Sequence, residues 1–236
     1  MPKNLFYAII TARKNSKQIK NKNIQKIGKK NLVENTISII KKVNFFDKIF
    51  CSSDSNRILD IAKKNKIIDI KRPKKLSLDN SKSITSIHHF VKYLKENNFE
   101  LPKVVFLFQP TSPFVKKKTI LSMKRLVIKK KVSSVISCYK IPNKFHYLNQ
   151  RSLKNGKVKF LYEKIRNKKI LKQSKPAVYS HGNLFSFKLK EFLKQNSLTP
   201  KPLYSVLLDT FEESIDIDTK EDIRIARALF KKFKFN

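Results

Sequence analysis

The sequence predicts an α/β protein built on a mostly parallel sheet flanked by helices, and three observations carry that prediction. Short apolar runs alternate with segments of helical periodicity from residue 5 to residue 138. One run, Val104-Val-Phe-Leu-Phe108, contains no polar position, as a strand covered on both faces requires. Polar stretches follow several of the runs at the places where parallel strands would end, which is where open α/β sheets bind ligands.

Taken in order, Leu5 to Ile10 is the first strand. Asn31 to Ile40 follows with Val33, Ile37 and Ile40 on one helical face. Lys48 to Ser52 is a short strand, and Asp54 or Ser55 is placed to cap a helix running through Ala62. Ile67 to Ile70 is strand-like, and Ser83 opens, and is placed to cap, a helix on which Ile84, Ile87, Val91 and Leu94 recur every three or four residues. Beyond the 104–108 strand, a basic helix around 120–128 and a strand from Val132 to Cys138 complete the alternation. Between Lys140 and Pro176 the rhythm fails. That stretch is polar and lysine-rich, with a strand candidate at Val158 to Tyr162 and no helix signal. A long excursion from a compact domain is a lid, a binding loop or an arm that packs elsewhere. Asn183 to Phe187 restores the strand pattern, and the chain ends in an amphipathic helix carrying Ile223, Ala226, Leu229 and Phe230. One domain over residues 1–236, with a protrusion at 140–176, is expected.

The net charge of +37 invites a nucleic-acid reading. The lysines, however, are spread through nearly every segment, and no arginine-rich arm, C-x-x-C finger or RNP-type aromatic motif accompanies them. Charge speaks to solubility and nonspecific binding, so no specific nucleic-acid partner is expected. No uninterrupted apolar stretch approaches the ~20 residues of a membrane helix. The first residues show no signal-peptide pattern, and Cys51 and Cys138, far apart in apolar runs, read as reduced core thiols. A cytoplasmic protein without membrane contact is the expectation. His88 and His89 are consecutive on a helix and diverge, and His146 and His181 fall in or beside the excursion. With no Ser-His-Asp or Cys-His arrangement, a hydrolase is not expected.

Four polar stretches remain as candidate chemistry. Residues 11–23, TARKNSKQIKNKN, carry Arg13, Ser16, Lys17, Lys20 and Lys22 directly after the first strand. They read as a cradle for a polyphosphate or as a solvated basic loop; G-x-x-x-x-G-K is absent, so this is not a Walker loop. Gln109-Pro-Thr-Ser-Pro113 ends the buried strand with a backbone fixed by two prolines. Arg72-Pro73 and Asp79-Asn-Ser-Lys-Ser83 lead into a helix N-terminus, which suits an anion or a cap equally. In Ser214-Ile-Asp-Ile-Asp-Thr219, strand alternation sends Ile215 and Ile217 inward and places Asp216 and Asp218 together. Two such carboxylates repel one another, which a divalent cation would relieve. Alternatively, Asp218 with Glu221, or Thr219 with Asp222, forms a capping box for the last helix.

In order along the chain, these stretches resemble the acylneuraminate cytidylyltransferase (CMP-sialic acid synthetase) family. Ala12, Arg13, Asn15, Ser16, Lys17, Ile19, Lys22 and Asn23 match its opening A-R-x-N/G-S-K-x-I/L-x-x-K-N signature. SSDS, KRPKKLSLDNSKS, FQPTSPF and SIDIDTKED match its later segments. The resemblance implies a Rossmann-like, three-layer nucleotidyltransferase fold with a dimerisation arm, a homodimer and Mg²⁺ dependence. It implies the reaction of CTP with a nine-carbon 2-keto sugar acid to give the CMP-sugar and pyrophosphate. By position, Arg13, Ser16 and Lys22 would hold the triphosphate, and Ala12 and Asn15 share that loop. Asn23, Arg72, Ser81 and Ser83 would surround the cytidine, and Gln109 would meet the sugar acid. Asp216 and Asp218 would ligate magnesium, with Arg13, Lys22 and Asp216 closest to the chemistry. The excursion would be the arm that reaches the partner's site.

Departures fall on the sugar side. The family's R-R-Q is represented by Lys172-Gln173 ahead of Pro176, and its N-G-A-I-Y by His181-Gly182-Asn183-Leu-Phe185. A lysine supplies an arginine's charge but not its planar fork. The acid is therefore left open among neuraminic, legionaminic, pseudaminic and related acids, with an eight-carbon keto acid as a rival that Asn15-Ser16-Lys17 disfavours. A catalytically degenerate nucleic-acid-binding relative is the rival of another class, supported by charge alone.

Overall fold

The computed structural model describes residues 4–14, 16, 18–77, 83–168 and 175–233. The first half follows the expected alternation closely. Strand β1 (Phe6–Thr11) leads through a small hairpin, β2 (Lys26–Ile27) and β3 (Lys30–Asn31), into helix α1 (Leu32–Val43). Asn31 caps α1 by accepting from the Glu34 amide at 2.9 Å, while Glu34 accepts from the Asn31 amide at 2.9 Å, a complete capping box. Strand β4 (Lys48–Ser53), helix α2 (Asn56–Lys64), strand β5 (Ile68–Lys71), helix α3 (Ser83–Glu96) and strand β6 (Val104–Phe108) follow, then helix α4 (Lys117–Val127) and strand β7 (Ser134–Lys140). The capping expectations need correction. Ser55 occupies the N-cap of α2 without a side-chain bond, and Ser83 is the first helical residue of α3 rather than its cap.

The sheet runs β11-β7-β10-β6-β1-β4-β5, where β10 is Tyr179–Lys188 and β11 is Leu203–Leu207. Neighbours among β6, β1, β4 and β5 pair in parallel, as does β11 with β7, but β10 is antiparallel to both β6 and β7. The sheet is thus only partly parallel. The reason lies in the excursion, which returns the chain to where it left: Tyr179 pairs with Lys140, so β7 and β10 form one long hairpin, and no crossover is made.

Alternation along β1 divides the core. Phe6, Ala8 and Ile10 face α1 and α4 through Val33, Ile37, Ile120 and Met123. Leu5, Tyr7 and Ile9 face α3 and helix α6 (Leu189–Gln195) through Ile87, Phe90, Leu94 and Phe192. Three layers result, helices on both faces of the sheet. A third cluster docks the last helix, α7 (Lys220–Phe233), through Ile223 and Ala226 against Ile27, Leu32 and Phe114.

The excursion contains more order than its polar, lysine-rich sequence predicts. Strands β8 (Arg151–Lys154) and β9 (Lys157–Phe160) form a hairpin, and helix α5 (Glu163–Asn167) follows. The turn is Asn155-Gly156, both with positive φ (50° and 75°), the backbone that a tight two-residue hairpin demands. The strand candidate at Val158 to Tyr162 therefore ends at Phe160. His146 is buried at the base of the arm, its Nε2 2.9 Å from the Pro176 carbonyl and its Nδ1 accepting from the Leu148 amide at 3.1 Å. Both thiols are free, Cys51 in β4 and Cys138 in β7. No described helix is long and apolar enough to cross a membrane.

Candidate active site

β1, β4, β5 and β6 end at one edge of the sheet, and the polar stretches that follow β1, β5 and β6 close around a cleft of about 280 Å³. Arg13, Ser16, Lys22 and Asn23 come from the segment after β1, Arg72 from the end of β5, and Gln109 from the end of β6. Ser83 lines it from the first turn of α3, and Asp216 and Asp218 close the far side.

The described residues of the basic segment after β1 are held by specific hydrogen bonds. Asp54 accepts from the Lys14 amide at 2.7 Å, which explains why it does not cap α2. Asn23, buried, donates through Nδ2 to the Arg13 carbonyl at 2.9 Å, so part of its hydrogen-bonding capacity shapes the cleft wall. Asn21 takes the left-handed conformation (φ 55°) that turns the chain into the short 3₁₀ segment Lys22–Ile24.

Arg72 is the most enclosed cation, 5% exposed. Its Nε donates to Ser77 Oγ at 2.9 Å and its Nη1 to Ser86 Oγ at 2.6 Å, which hold the guanidinium plane against α3. Burial pushes its pKa down, Asp54 works the other way, and the like charge of Arg13 adds to the lowering. An arginine keeps its proton even so. Two arginine charges near one another, one of them desolvated, make a place where an anion is favoured. His89, three residues beyond Ser86 on α3, is held below the usual imidazole range by burial first and by Arg72 second.

The acidic side is built differently from the expectation. Residues 214–219 form no strand; a 3₁₀ turn at Glu212–Ser214 gives way to extended chain. The in–out alternation survives, with Ile215 and Ile217 buried. The Ile217 amide donates to the Thr111 carbonyl at 2.9 Å, which ties this segment to the loop after β6. Of the two capping boxes, the one formed joins Thr219 and Asp222: the Asp222 amide donates to Thr219 Oγ1 at 3.1 Å and the Thr219 amide to Asp222 Oδ2 at 2.7 Å. Asp218 is released from capping and meets Lys22 Nζ at 2.9 Å. Lys22 is 12% exposed and Asp218 65%, so the carboxylate keeps oxygen lone pairs open to the cleft while the lysine has little room elsewhere. Among the described residues no group of three or more His, Cys, Asp or Glu side chains forms a metal cage.

Nine of the expected site residues thus meet at one cleft. Ala12 does not line it; it is 1% exposed behind the wall and its amide extends β1 to the Ser52 carbonyl at 3.1 Å. Asn15, Ser81, Lys172 and Gln173, with Lys17 and Asp79, lie outside the described residues. Thr11, Leu76 and Ser77 also line the cleft from within the polar stretches, though nothing in the sequence singles them out, and Ser86 lines it from beyond them. Ser86 was discoverable, since it lies one helical turn beyond Ser83 and shares its face.

A cleft at the carboxyl edge of such a sheet, with arginines and a lysine opposite two carboxylates, is that of a nucleotidyltransferase. The comparisons agree and narrow it. The model of the Cytidylyltransferase family matches residues 7–233, and the chain belongs to that family of enzymes. CMP-N,N'-diacetyllegionaminic acid synthase of Legionella pneumophila is 28% identical over 227 residues, 95% of each chain. Pseudaminic acid cytidylyltransferase of Campylobacter jejuni is 28% identical over 228 residues, 94% of this chain and 95% of its own. An N-acylneuraminate cytidylyltransferase of Streptococcus agalactiae is 26% identical over 220 residues, which span 50% of that longer protein. Among solved structures, CMP:2-keto-3-deoxy-manno-octonic acid synthetase complexed with CTP superposes with a TM-score of 0.70 at 11% identity, covering 97% of this chain and 99% of its own. At that identity the likeness shows the Rossmann-like nucleotidyltransferase fold.

Proposed function

We propose that the protein transfers CMP from CTP to a nine-carbon 2-keto sugar acid and releases pyrophosphate. The observation that carries this reading is the meeting of Arg13, Lys22 and Arg72 with Asp216 and Asp218 around one cleft. The names of the full-length relatives, which concern diacetyllegionaminic and pseudaminic acids, favour the nine-carbon class.

In this reading Arg13, Ser16 and Lys22 bind the triphosphate, and Lys22 exchanges Asp218 for a phosphate oxygen as the nucleotide enters. Asn23, Arg72 and Ser83 surround the cytidine, and Gln109 orients the acid. Asn15, Ser81, Lys172 and Gln173 keep their proposed roles toward nucleotide and sugar. The anomeric hydroxyl attacks the α-phosphorus in line with the departing pyrophosphate. Such chemistry asks for positioning and charge neutralisation rather than a covalent nucleophile, and the cleft is made of groups that do both. Asp216 and Asp218 fit Mg²⁺, which takes one or two carboxylates and completes its shell with water and phosphate oxygens. When bound there it would neutralise charge on the triphosphate.

The arm serves a homodimer in this proposal. Leu153 (73% exposed) and Val158 (58%) stand on its hairpin, and Leu161 (54%) follows it, more apolar surface than a solvated excursion needs. Pyrophosphate release with CTP, Mg²⁺ and a panel of nonulosonic and octulosonic acids tests the substrate. Turnover with one nine-carbon acid is expected. Turnover with only an eight-carbon acid rejects the acid class, and failure to bind CTP rejects the nucleotide.

A further inference from the structure

A second cavity, of about 640 Å³, lies outside the cleft, between α1, α7 and the segment that follows Pro113. We propose that it binds a small amphipathic anion, an apolar body ending in a carboxylate or phosphate. Its volume is that of small-molecule sites rather than of a surface dimple, and it exceeds the catalytic cleft. Phe114 and Phe230 line it, their ring centroids 6.4 Å apart, with Ile39. The close approach of the Phe230 ring depends on Gly28, where a Cβ would stand 2.4 Å from Cε1, and whose φ of +65° suits glycine. The apolar wall is therefore shaped by a specific backbone feature.

The polar groups set the sign of the ligand. Asn35 lines the cavity, and its amide Nδ2 is buried with no hydrogen-bond partner. A buried orphan donor carries a desolvation cost that an acceptor on a ligand would remove. Lys29, Lys117 and Lys231, all exposed at the rim, make no ion pair among the described residues. Lys30 and Lys116 also border the cavity but are engaged by Ser38 Oγ at 2.7 Å and Glu213 at 3.2 Å. An apolar interior, one unmet donor and three unpaired cations together select an acceptor-bearing anion with a hydrocarbon or ring body. None of these residues enters the proposed catalytic roles, so the inference stands apart from them.

The test uses decanoate as probe, with decanol as the uncharged chain of similar size, in calorimetric titrations and thermal-shift assays of the intact protein. Saturable one-to-one binding of decanoate is expected, with decanol at least tenfold weaker. The triple variant Lys29→Glu, Lys117→Glu, Lys231→Glu alters only exposed side chains and should bind decanoate at least tenfold more weakly while leaving CTP affinity intact. Asn35→Leu should weaken decanoate more than decanol, because the carboxylate is the stronger acceptor for the orphan amide. No saturable decanoate binding, equal affinity for decanol, equal affinity in the triple variant, or binding only to anionic vesicles overturns the proposal.

Discussion

Glu213→Ala should destabilise the fold and disturb the cleft by the same route. The Glu213 side chain is fully buried, accepts from Thr119 Oγ1 at 2.6 Å and meets Lys116 Nζ at 3.2 Å. It also takes the Lys116 backbone amide, at 3.4 Å, which makes a residue from a distant segment the acceptor at the start of α4. Loss of a hydrogen bond to a charged acceptor costs about 1.5–3 kcal/mol. Loss of a helix-end acceptor adds roughly 0.5–2 kcal/mol. Lys116 is 33% exposed and can turn its ammonium to water, so its ion pair is discounted. A total of about 2–5 kcal/mol follows, which in a domain of this size lowers Tm by roughly 4–20 °C. Glu213 precedes Asp216 by three residues, so the same variant should weaken CTP binding measured by titration. Calorimetric melting of the wild type, Glu213→Ala and Glu213→Gln checks this, with the glutamine variant intermediate because it keeps one acceptor. A Tm shift below about 2 °C for alanine, less than 1 kcal/mol on the same scale, would refute the clamp.

Arg72→Lys keeps the charge but gives up the two directed bonds to Ser77 and Ser86; CTP affinity measured by titration should fall at least tenfold, and unchanged affinity would remove Arg72 from the nucleotide site. For Asp222, burial opposes ionisation, but bonds from the Thr219 and Asp218 amides and the Thr219 hydroxyl, with Lys22 nearby, outweigh it and hold the pKa below the usual range. Its contribution is therefore complete above the unfolded pKa and is lost as pH falls through the folded one, so Asp222→Asn should flatten the acid limb of stability against pH; parallel limbs would contradict this. Cys51, whose pKa burial pushes up to about 12, should resist thiol reagents at neutral pH and react only as the fold opens; prompt labelling would show that β4 is not sealed.

Much of this molecule was legible in its residues. Val104 to Phe108 declared a strand covered on both faces, and Val33, Ile37 and Ile40 declared the buried face of α1, because burial imposes its period on the sequence. The direction of β10 was not legible, since an apolar run looks alike whichever way it points; only the return of the arm beside Lys140 decides it. The hairpin in the arm was legible only from its turn: Asn155-Gly156 is a strong local signal, but its strands are exposed and lysine-rich, so hydrophobic periodicity gives no support. At the cleft, Arg13 and Lys22 stood out as charges after a strand, and Asp216 as a carboxylate in an alternating acidic and apolar stretch. Ser77 and Ser86 did not, because a serine acquires meaning only from the guanidinium it holds, a contact across five and fourteen residues. Glu213 was hidden for the same reason, its partners lying at least 94 residues away.

The most direct test of cytidylyl transfer is phosphorus NMR of CTP incubated with Mg²⁺, a nonulosonic acid and either the wild type or Asp216→Asn. The account predicts a phosphodiester resonance of a CMP-sugar growing together with pyrophosphate in the wild type and absent from the variant. Inorganic phosphate and CDP, or an unchanged triphosphate with every acid while CTP binds, would contradict it.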